Sequence, residues 1–379
     1  MAIDFITMLP TSGDRANIGK VVSDPTRIDP WRNSSDREPS LANLIEIVQA
    51  AERGGFDATL LPTGNVCLDS LVTASALISH TEKIKFLFAA RPGFTAPATF
   101  ARQIGTLDYL SGGRALINVV TGKSAEELAA DGDFVPHDRR YDRTAEFIHV
   151  LKRLFTEDHF HHEGDFYKLH NASLFYKSVQ KPRPLIYFGG ASEAGKRAAI
   201  READVYMLWA ESLDLTRERI EEVKSLAAEH NRVLDYSISF QVILGDTEEQ
   251  AWQRAREIVR HVDQAAVARK EVAVTTKDES EGDRRLQKLM NDSRTNDFRI
   301  GRHVWAGLTQ VLGGNSIALV GTPDQVADTI LEYGDLGFKK VLLRGLPFLE
   351  TITAIGRDVI PRVREKEQAR LRLADSQSA

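Results

Sequence analysis

Short apolar segments alternate with longer amphipathic ones along almost the whole chain, and this alternation constrains the fold most. In order, the apolar segments are Ile3–Leu9, Ala58–Leu61, Ile84–Ala90, Ala115–Val120, Leu185–Phe188, Val205–Leu208, Ser237–Leu244 and Lys340–Arg344. Each is followed by a stretch with helical spacing. In Leu41–Gly54, for example, Leu44, Ile45, Val48 and Ala51 recur at that spacing. Strict alternation implies parallel strands joined by crossover helices. The runs ATLL, LIYF and KVLL are apolar at successive positions, as expected of strands buried on both faces. Eight such units favour closure. The expected fold is an α/β, (β/α)8 TIM barrel, one domain spanning residues 1–379.

Three stretches exceed the basic unit and are read as insertions after strands one, four and seven. Gly13–Ser40 is a long polar loop. His159–Lys181 is aromatic and charged, and forms a small excursion before the fifth strand. Asp263–Ser316 carries the run KDESEGDRR and separates the seventh strand from the eighth. Long loops on a barrel are usually lids or disordered segments. Mobility is expected near Thr276–Arg284, with closure over substrate. Thr322–Gly337 adds a helix, with Thr322 as N-cap and Pro323 at its first position.

The 49 basic and 54 acidic residues are mixed along the chain, which gives no nucleic-acid surface. No apolar run reaches the ~20 residues that span a bilayer. The N-terminal MAIDFITMLP lacks the basic segment of a signal peptide, so a cytoplasmic location is expected. A single cysteine, Cys67, excludes an intramolecular disulfide. The ten histidines show no HExxH or paired spacing, so no metal is expected.

A barrel of this kind works at the loops after its strands. Cys67 follows the second strand and is either a reactive thiol or a small packing residue. Arg91 follows the third and is either a rim cation or the partner of a nearby acid. After the fourth strand, NVVTGKSAEELAADG offers backbone and amide contacts to a planar polar ring. After the fifth, FGGASEAGKRAA runs two glycines, Gly189 and Gly190, into a helix whose start holds Ala191 and Ser192. Bare N–H groups at a helix start form a phosphate cradle; the alternative is a tight turn with an ordinary cap. Tyr141, in RRYDRTAEF, is a second phosphate contact or a packing tyrosine.

As a set, these loops resemble the bacterial-luciferase-like flavin monooxygenases, and most of all the two-component alkanesulfonate monooxygenases. The matching pieces are LPTSGD, LPTGNVCLDS, LFAARP, ARQIGTLDYLSGGRALINVVTGKSAEELAADGD, RRYDRTAEF, LIYFGGASE, VYMLWAES and HVWAGL…LGGNSIALVGTP. They run in order over nearly the whole chain. The resemblance implies FMN, used as FMNH2 with O2 and supplied by a separate NAD(P)H:FMN reductase. It implies a homodimer or homotetramer, and release of aldehyde and sulfite from an alkanesulfonate. It places Asn118 and Thr121 beside the isoalloxazine, and Tyr141, Gly189, Gly190, Ala191 and Ser192 at the phosphate. Cys67 matches the family's active-site cysteine, and Trp209 the tryptophan after the sixth strand.

The sulfonate end departs from the pattern. Ser239 and Gln241 stand where the alkanesulfonate enzymes have arginine and histidine. Leu312 replaces an arginine, Leu346 a tyrosine, Phe348 a histidine and Ser12 a histidine. Losing two arginines removes much of the charge-assisted grip on an anion. Arg344, Arg302, His303 and Lys123, with Arg27, Trp31 and Arg32 of the first loop, are the groups available to rebuild it. The expected catalytic set is Cys67, Trp209, Gln241 and Arg344; the expected substrate contacts are Trp31, Arg302, His303 and Leu346. Two other readings remain: the same flavin chemistry on a sulfone, alkane-like or other substrate, and a non-catalytic flavin-binding partner subunit.

Overall fold

The computed structural model describes residues 2–14, 37–122, 124–260, 262, 264–276 and 280–378. From the N-terminus, β1 (Asp4–Met8) leads to α1 (Leu41–Arg53), β2 (Ala58–Leu61) to α2 (Ser70–Leu77), and β3 (Lys85–Ala90) to α3 (Pro97–Leu110). β4 (Ala115–Val119) is followed by the short α4 (Ala125–Ala130) and the long α5 (His137–Thr156). A hairpin, β5 (Phe160–Glu163) with β6 (Lys168–Ala172), comes next. The chain re-enters the main sheet at β7 (Ile186–Phe188), followed by α6 (Glu193–Glu202), β8 (Val205–Trp209), α7 (Leu213–Glu229), β9 (Asp235–Leu244) and α8 (Glu248–Val259). The second excursion contains α9 (Gln264–Thr276), α10 (Glu281–Asp292), β10 (Val304–Trp305) and β11 (Ala318–Gly321). α11 (Pro323–Asp335), β12 (Lys340–Arg344), α12 (Phe348–Ala354) and α13 (Ile360–Ser378) complete the chain.

The eight expected strands are β1, β2, β3, β4, β7, β8, β9 and β12. All pair in parallel, and β8 pairs with β9 to close the ring. The barrel is thus the expected one. Helices start where a short polar side chain can take a bare N–H: Ser40, Asp69, Ser192, Ser212 and Thr247 each do so. Thr322 and Gln325 form a reciprocal capping box at α11, with Pro323 in the first turn, as expected.

Apolar side chains alternate between two cores. Phe5, Phe86, Phe88, Ile117, Phe188, Ile238 and Phe240 point outward into the layer under the helices. Ile6, Ala58, Leu87, Leu116, Tyr187, Val205 and Leu342 fill the barrel itself. The interior is therefore packed rather than open.

Besides α4 and the helices α9 and α10, which occupy a stretch expected as a long loop, two features go beyond the sequence reading. β11, the run ALVG, pairs in parallel with Gln241–Leu244 at the far end of β9. α5 begins at His137, six residues before the expected Arg143. It carries the hairpin on Glu146, whose carboxylate accepts the N–H of Phe166 and Tyr167 at 3.1 and 2.8 Å.

Candidate active site

Side chains alternate along a strand. Since Ile6, Leu116 and Leu342 face the interior, Met8, Asn118 and Arg344 line the same surface nearer the C-terminal mouth. Trp209 follows the inward-packed Met207, and is in register with Ser239; Arg344 is in register with Gln241. The mouth thus holds Met8, Asn118, Trp209, Ser239, Gln241 and Arg344.

One side of it is a glycine-built cradle. A Cβ on Gly189 would lie 2.6 Å from the Met207 carbonyl oxygen, and one on Gly190 2.7 Å from the Gly195 Cα. Both obstacles are backbone and cannot swing aside. These glycines are needed for close approach, since neither has a positive φ. The Tyr206 hydroxyl, kept protonated by burial, donates to the Gly190 carbonyl at 2.5 Å. Ser192 caps α6, its Oγ accepting the Gly195 N–H at 3.2 Å. The remaining N–H groups of that first turn have no partner within the helix and lie at its positive end. Residues 189–192 are only half-buried, so this end is reachable.

Tyr141 stands against the cradle: a Cβ on Gly195 would come within 3.1 Å of its ring. Thr121 is buried, its Oγ1 3.1 Å from that of Thr144, which in turn donates to the Arg140 carbonyl at 2.8 Å. One turn of α5 therefore holds Thr121 and Tyr141 together. Asn118 lies between Ala89 and Tyr187 in register. The structure gathers Thr121, Tyr141, Gly189, Gly190, Ala191 and Ser192, with Asn118 on the adjoining strand.

That turn is anchored by an ion pair. Arg143 donates to both oxygens of Asp133, at 3.1 and 2.5 Å, with both side chains under 10% exposed. Burial alone would raise the Asp133 pKa. Together, the Arg143 hydrogen bond, the Val135 N–H and the charges of Arg143 and Arg140 outweigh burial and hold the carboxyl below its usual 3.8. A carboxyl depressed in the folded state stabilises above its unfolded pKa, and that contribution fades as pH falls through the folded value. Asp133→Asn is therefore expected to flatten the acid limb of stability against pH below about 4. Urea unfolding across pH 3–7 measures this; an unchanged acid limb would reject the assignment.

The opposite side is built by the second excursion. The Asn315 carbonyl accepts from Gln241 Nε2 at 2.9 Å and from Arg344 Nη2 at 2.8 Å. Arg344 Nη1 lies 3.2 Å from the Met8 sulfur. The Trp209 ring is clamped between glycines: a Cβ on Gly282 would come within 2.7 Å of it, and one on Gly314 within 3.0 Å. Asp283 Oδ1 accepts the Gly314 N–H at 2.8 Å. Glu211, two residues past Trp209 and 3% exposed, receives both Arg285 (two contacts of 2.7 Å) and Arg219 (2.9 Å). α10 is thereby fastened over the mouth. Glu211, Gly282, Asp283, Arg285 and Asn315 were not expected from sequence, because their partners lie many residues away in the chain.

The remaining expected residues are placed as follows. Cys67 is half-buried in the loop after β2, its N–H on the Gly64 carbonyl at 3.0 Å. Arg91 pairs with Glu127 at 2.5 Å and Asp131 at 3.2 Å, the second of its two readings. Leu312 and Leu346 pack against a cluster containing Trp305 and Leu308; Phe348 is buried. Arg302 is exposed, and His303 is buried with Nδ1 3.2 Å from the Val320 carbonyl. Both lie just before β10 rather than in the inward row of the barrel strands. Trp31, Arg27, Arg32 and Lys123 lie outside the described residues, as do residues 277–279 of the stretch expected to be mobile. Among the described residues no His, Cys, Asp and Glu cluster is arranged to hold a metal, and no helix is long and apolar enough to cross a membrane.

The profile of the luciferase-like monooxygenases matches residues 21–340. The chain belongs to the luciferase-like monooxygenase family. It is accordingly a flavin-dependent monooxygenase. Solved structures with the same fold include the EDTA monooxygenase EmoA from Chelativorans sp. BNC1, 22% identical, TM-score 0.76, covering 97% of this chain and 95% of that one. The long-chain alkane monooxygenase LadA is 20% identical, TM-score 0.74, covering 97% and 92%. The riboflavin lyase RcaE, solved with a modified FMN and its substrate riboflavin, is 20% identical, TM-score 0.74, covering 97% and 92%. At these identities the likeness is one of fold.

The residues of this luciferase-like barrel fit a phosphorylated planar cofactor. The cradle excludes any Cβ, its helix end is positive, and Tyr141 and Ser192 offer hydroxyls beside it.

Proposed function

We propose that this enzyme uses FMNH2 and O2 to oxidise a small organosulfur compound, with an organosulfonate as the leading substrate class. The observation that supports the sulfonate is Arg344, a cation at the inward C-terminal end of β12, on the opposite side of the mouth from the cradle. A separate NAD(P)H-dependent reductase supplies the reduced flavin.

Each part of the mouth then has a task. Backbone N–H groups of residues 190–192, with Ser192 and Tyr141, bind the phosphate. Asn118 and Thr121 orient the ring. FMN, when bound and reduced, supplies the electrons that activate O2. Trp209, clamped by Gly282 and Gly314, covers the mouth and excludes water. Arg344 holds the acidic end of the substrate, and Gln241, tied to the Asn315 carbonyl, keeps it company on the neighbouring strand. Cys67 remains a candidate at the rim of β2.

A second reading keeps the cofactor and replaces the sulfonate by a neutral sulfone or alkane-like compound. Leu312 and Leu346, packed on an apolar cluster, favour it.

The test is oxygen consumption with photoreduced FMN and a panel of sulfonates and neutral analogues, with sulfite assayed. Sulfite release supports the first reading; oxygenated product without sulfite supports the second. Arg344→Met is expected to raise KM for the sulfonate by about 10–100-fold, the worth of a charge-assisted hydrogen bond. Unchanged KM and kcat would remove Arg344 from the site.

A further inference from the structure

Met8 ends β1 two residues beyond the register pair Ile6–Leu342, which sets it beside Arg344 at the end of β12. Its thioether sulfur lies 3.2 Å from Arg344 Nη1, while Nη2 of the same guanidinium reaches the Asn315 carbonyl. A thioether is a weak acceptor, yet here it occupies one nitrogen of the cation assigned to the substrate. Met8 is half-buried. Its backbone is paired within the sheet, between β2 and β12, and its side chain belongs to the inward row. The open part of the side chain is therefore turned to the mouth.

Of the side chains that hold the mouth, only the Met8 thioether and the Trp209 indole are readily oxidised. The indole is covered, since Gly282 and Gly314 press on its ring. The thioether needs no base and no proton of its own to take up oxygen. An eight-stranded ring is only wide enough inside for its own side chains to meet. The cradle side and the Arg344 side thus open into one chamber, in which a monooxygenase activates O2.

We propose that Met8 is a self-modification site, oxidised to the sulfoxide when reduced flavin and O2 are present and substrate is not. This rests on the flavin reading of the mouth given above. A sulfur lone pair forms the S–O bond as the O–O bond breaks. The second oxygen atom leaves as water with the two hydrogens of the reduced flavin, so sulfur and flavin each give up two electrons to O2. Arg344 Nη1 is placed to donate to the new oxygen, a strong acceptor where the thioether was a weak one. The product then holds the cation that the substrate needs. The mouth stays closed to an anion until a methionine sulfoxide reductase removes the oxygen.

The test uses the full chain loaded with FMN, with binding first shown by quenching of flavin fluorescence. The flavin is photoreduced and air is admitted in the dark, through repeated cycles without substrate and with catalase present to destroy free peroxide. Peptide mass spectrometry reads the oxygen gained at Met8, Met207, Met290 and Cys67. Met8 is expected to react about tenfold faster than the others. Met207 packs into the barrel core, and Met290 is fully buried. Methionine sulfoxide reductase is expected to reverse the gain. A hexanesulfonate probe, followed by tryptophan fluorescence, is expected to bind the oxidised protein about tenfold more weakly, the loss of one charge-assisted hydrogen bond. Met8→Leu, close in volume and inert to peroxide, is expected to keep its own starting affinity through the same cycles. Met8 left reduced while the bound flavin consumes O2 overturns the proposal. So does oxygen gained first at another of these residues, or Met8 oxidation that catalase abolishes or that proceeds equally with unreduced FMN. Hexanesulfonate that binds neither form rejects the sulfonate reading, and the oxygen at Met8 then decides the proposal alone. FMN that does not bind removes the flavin reading and this proposal together.

Discussion

Gly190→Val is expected to lower FMN affinity at least a hundredfold. The first atom of any side chain at this position meets the Gly195 Cα at 2.7 Å. Valine adds two more carbons to that collision. The obstacle is the first turn of α6, so relief requires moving the helix end whose N–H groups form the cradle. Losing two or three charge-assisted hydrogen bonds to a phosphate, each worth about 1.5–3 kcal/mol, is enough for the stated effect. Fluorescence titration of FMN measures it, with circular dichroism to confirm the fold. Ser192→Ala is the milder control. It removes the α6 cap and one hydroxyl, and costs about tenfold. Affinity within threefold of the parent in Gly190→Val would place the phosphate elsewhere.

Glu211→Ala should give the largest loss of stability among single changes at the mouth. Its carboxylate is the shared acceptor of Arg219 and Arg285. Removing it leaves two guanidinium groups facing each other without their acid. Breaking a buried pair by deleting one partner costs about 3–5 kcal/mol. Arg285 is one-third exposed, so the low end, about 3 kcal/mol, applies. At roughly 1–2 °C per kcal/mol for a chain of this length, Tm falls by about 3–6 °C. The local effect is more telling. α10 loses its bidentate tie, Gly282 lifts from the Trp209 ring, and tryptophan emission shifts to the red. A Tm within 2 °C of the parent and unchanged emission would show that Glu211 does not fasten the excursion.

Much of this was legible in the sequence, for physical reasons. A strand covered on both faces must be apolar at successive positions, so ATLL, LIYF and KVLL announce themselves. The cradle was legible because it is local: two glycines, a cap residue and a helix lie within a few positions of one another. ALVG was passed over because the ring was already complete without it. It finds its place only because β9, at ten residues, outlasts its neighbours. The early start of α5 was missed because its first turn, HDRR, is polar and is held through Arg143 and Asp133 rather than through apolar spacing.

The mouth opposite the cradle was the least legible. Substitution of the expected arginines, histidines and tyrosine was visible at Ser239, Gln241, Leu312, Leu346 and Phe348. What stands in their place was not. Asn315 meets Gln241 across 74 positions, and Arg285 meets Glu211 across 74. Such contacts depend on how the excursion folds back, which no local pattern encodes. Arg91 shows the converse: its cation drew notice after β3, and the structure spends it on Glu127 and Asp131.

The length of β9 divides the molecule into a part that must stay the same and a part free to change. Ser237–Gln241 pair with β12 and close the ring; Gln241–Leu244 pair with β11 and carry the excursion. Only Gln241 belongs to both. The excursion between β9 and β11 can be lengthened, shortened or resequenced without removing a strand of the ring or touching the glycine cradle on its far side. A lineage built this way can exchange what it recognises while keeping the reagent it uses, and Gln241 is the seam along which the exchange takes place.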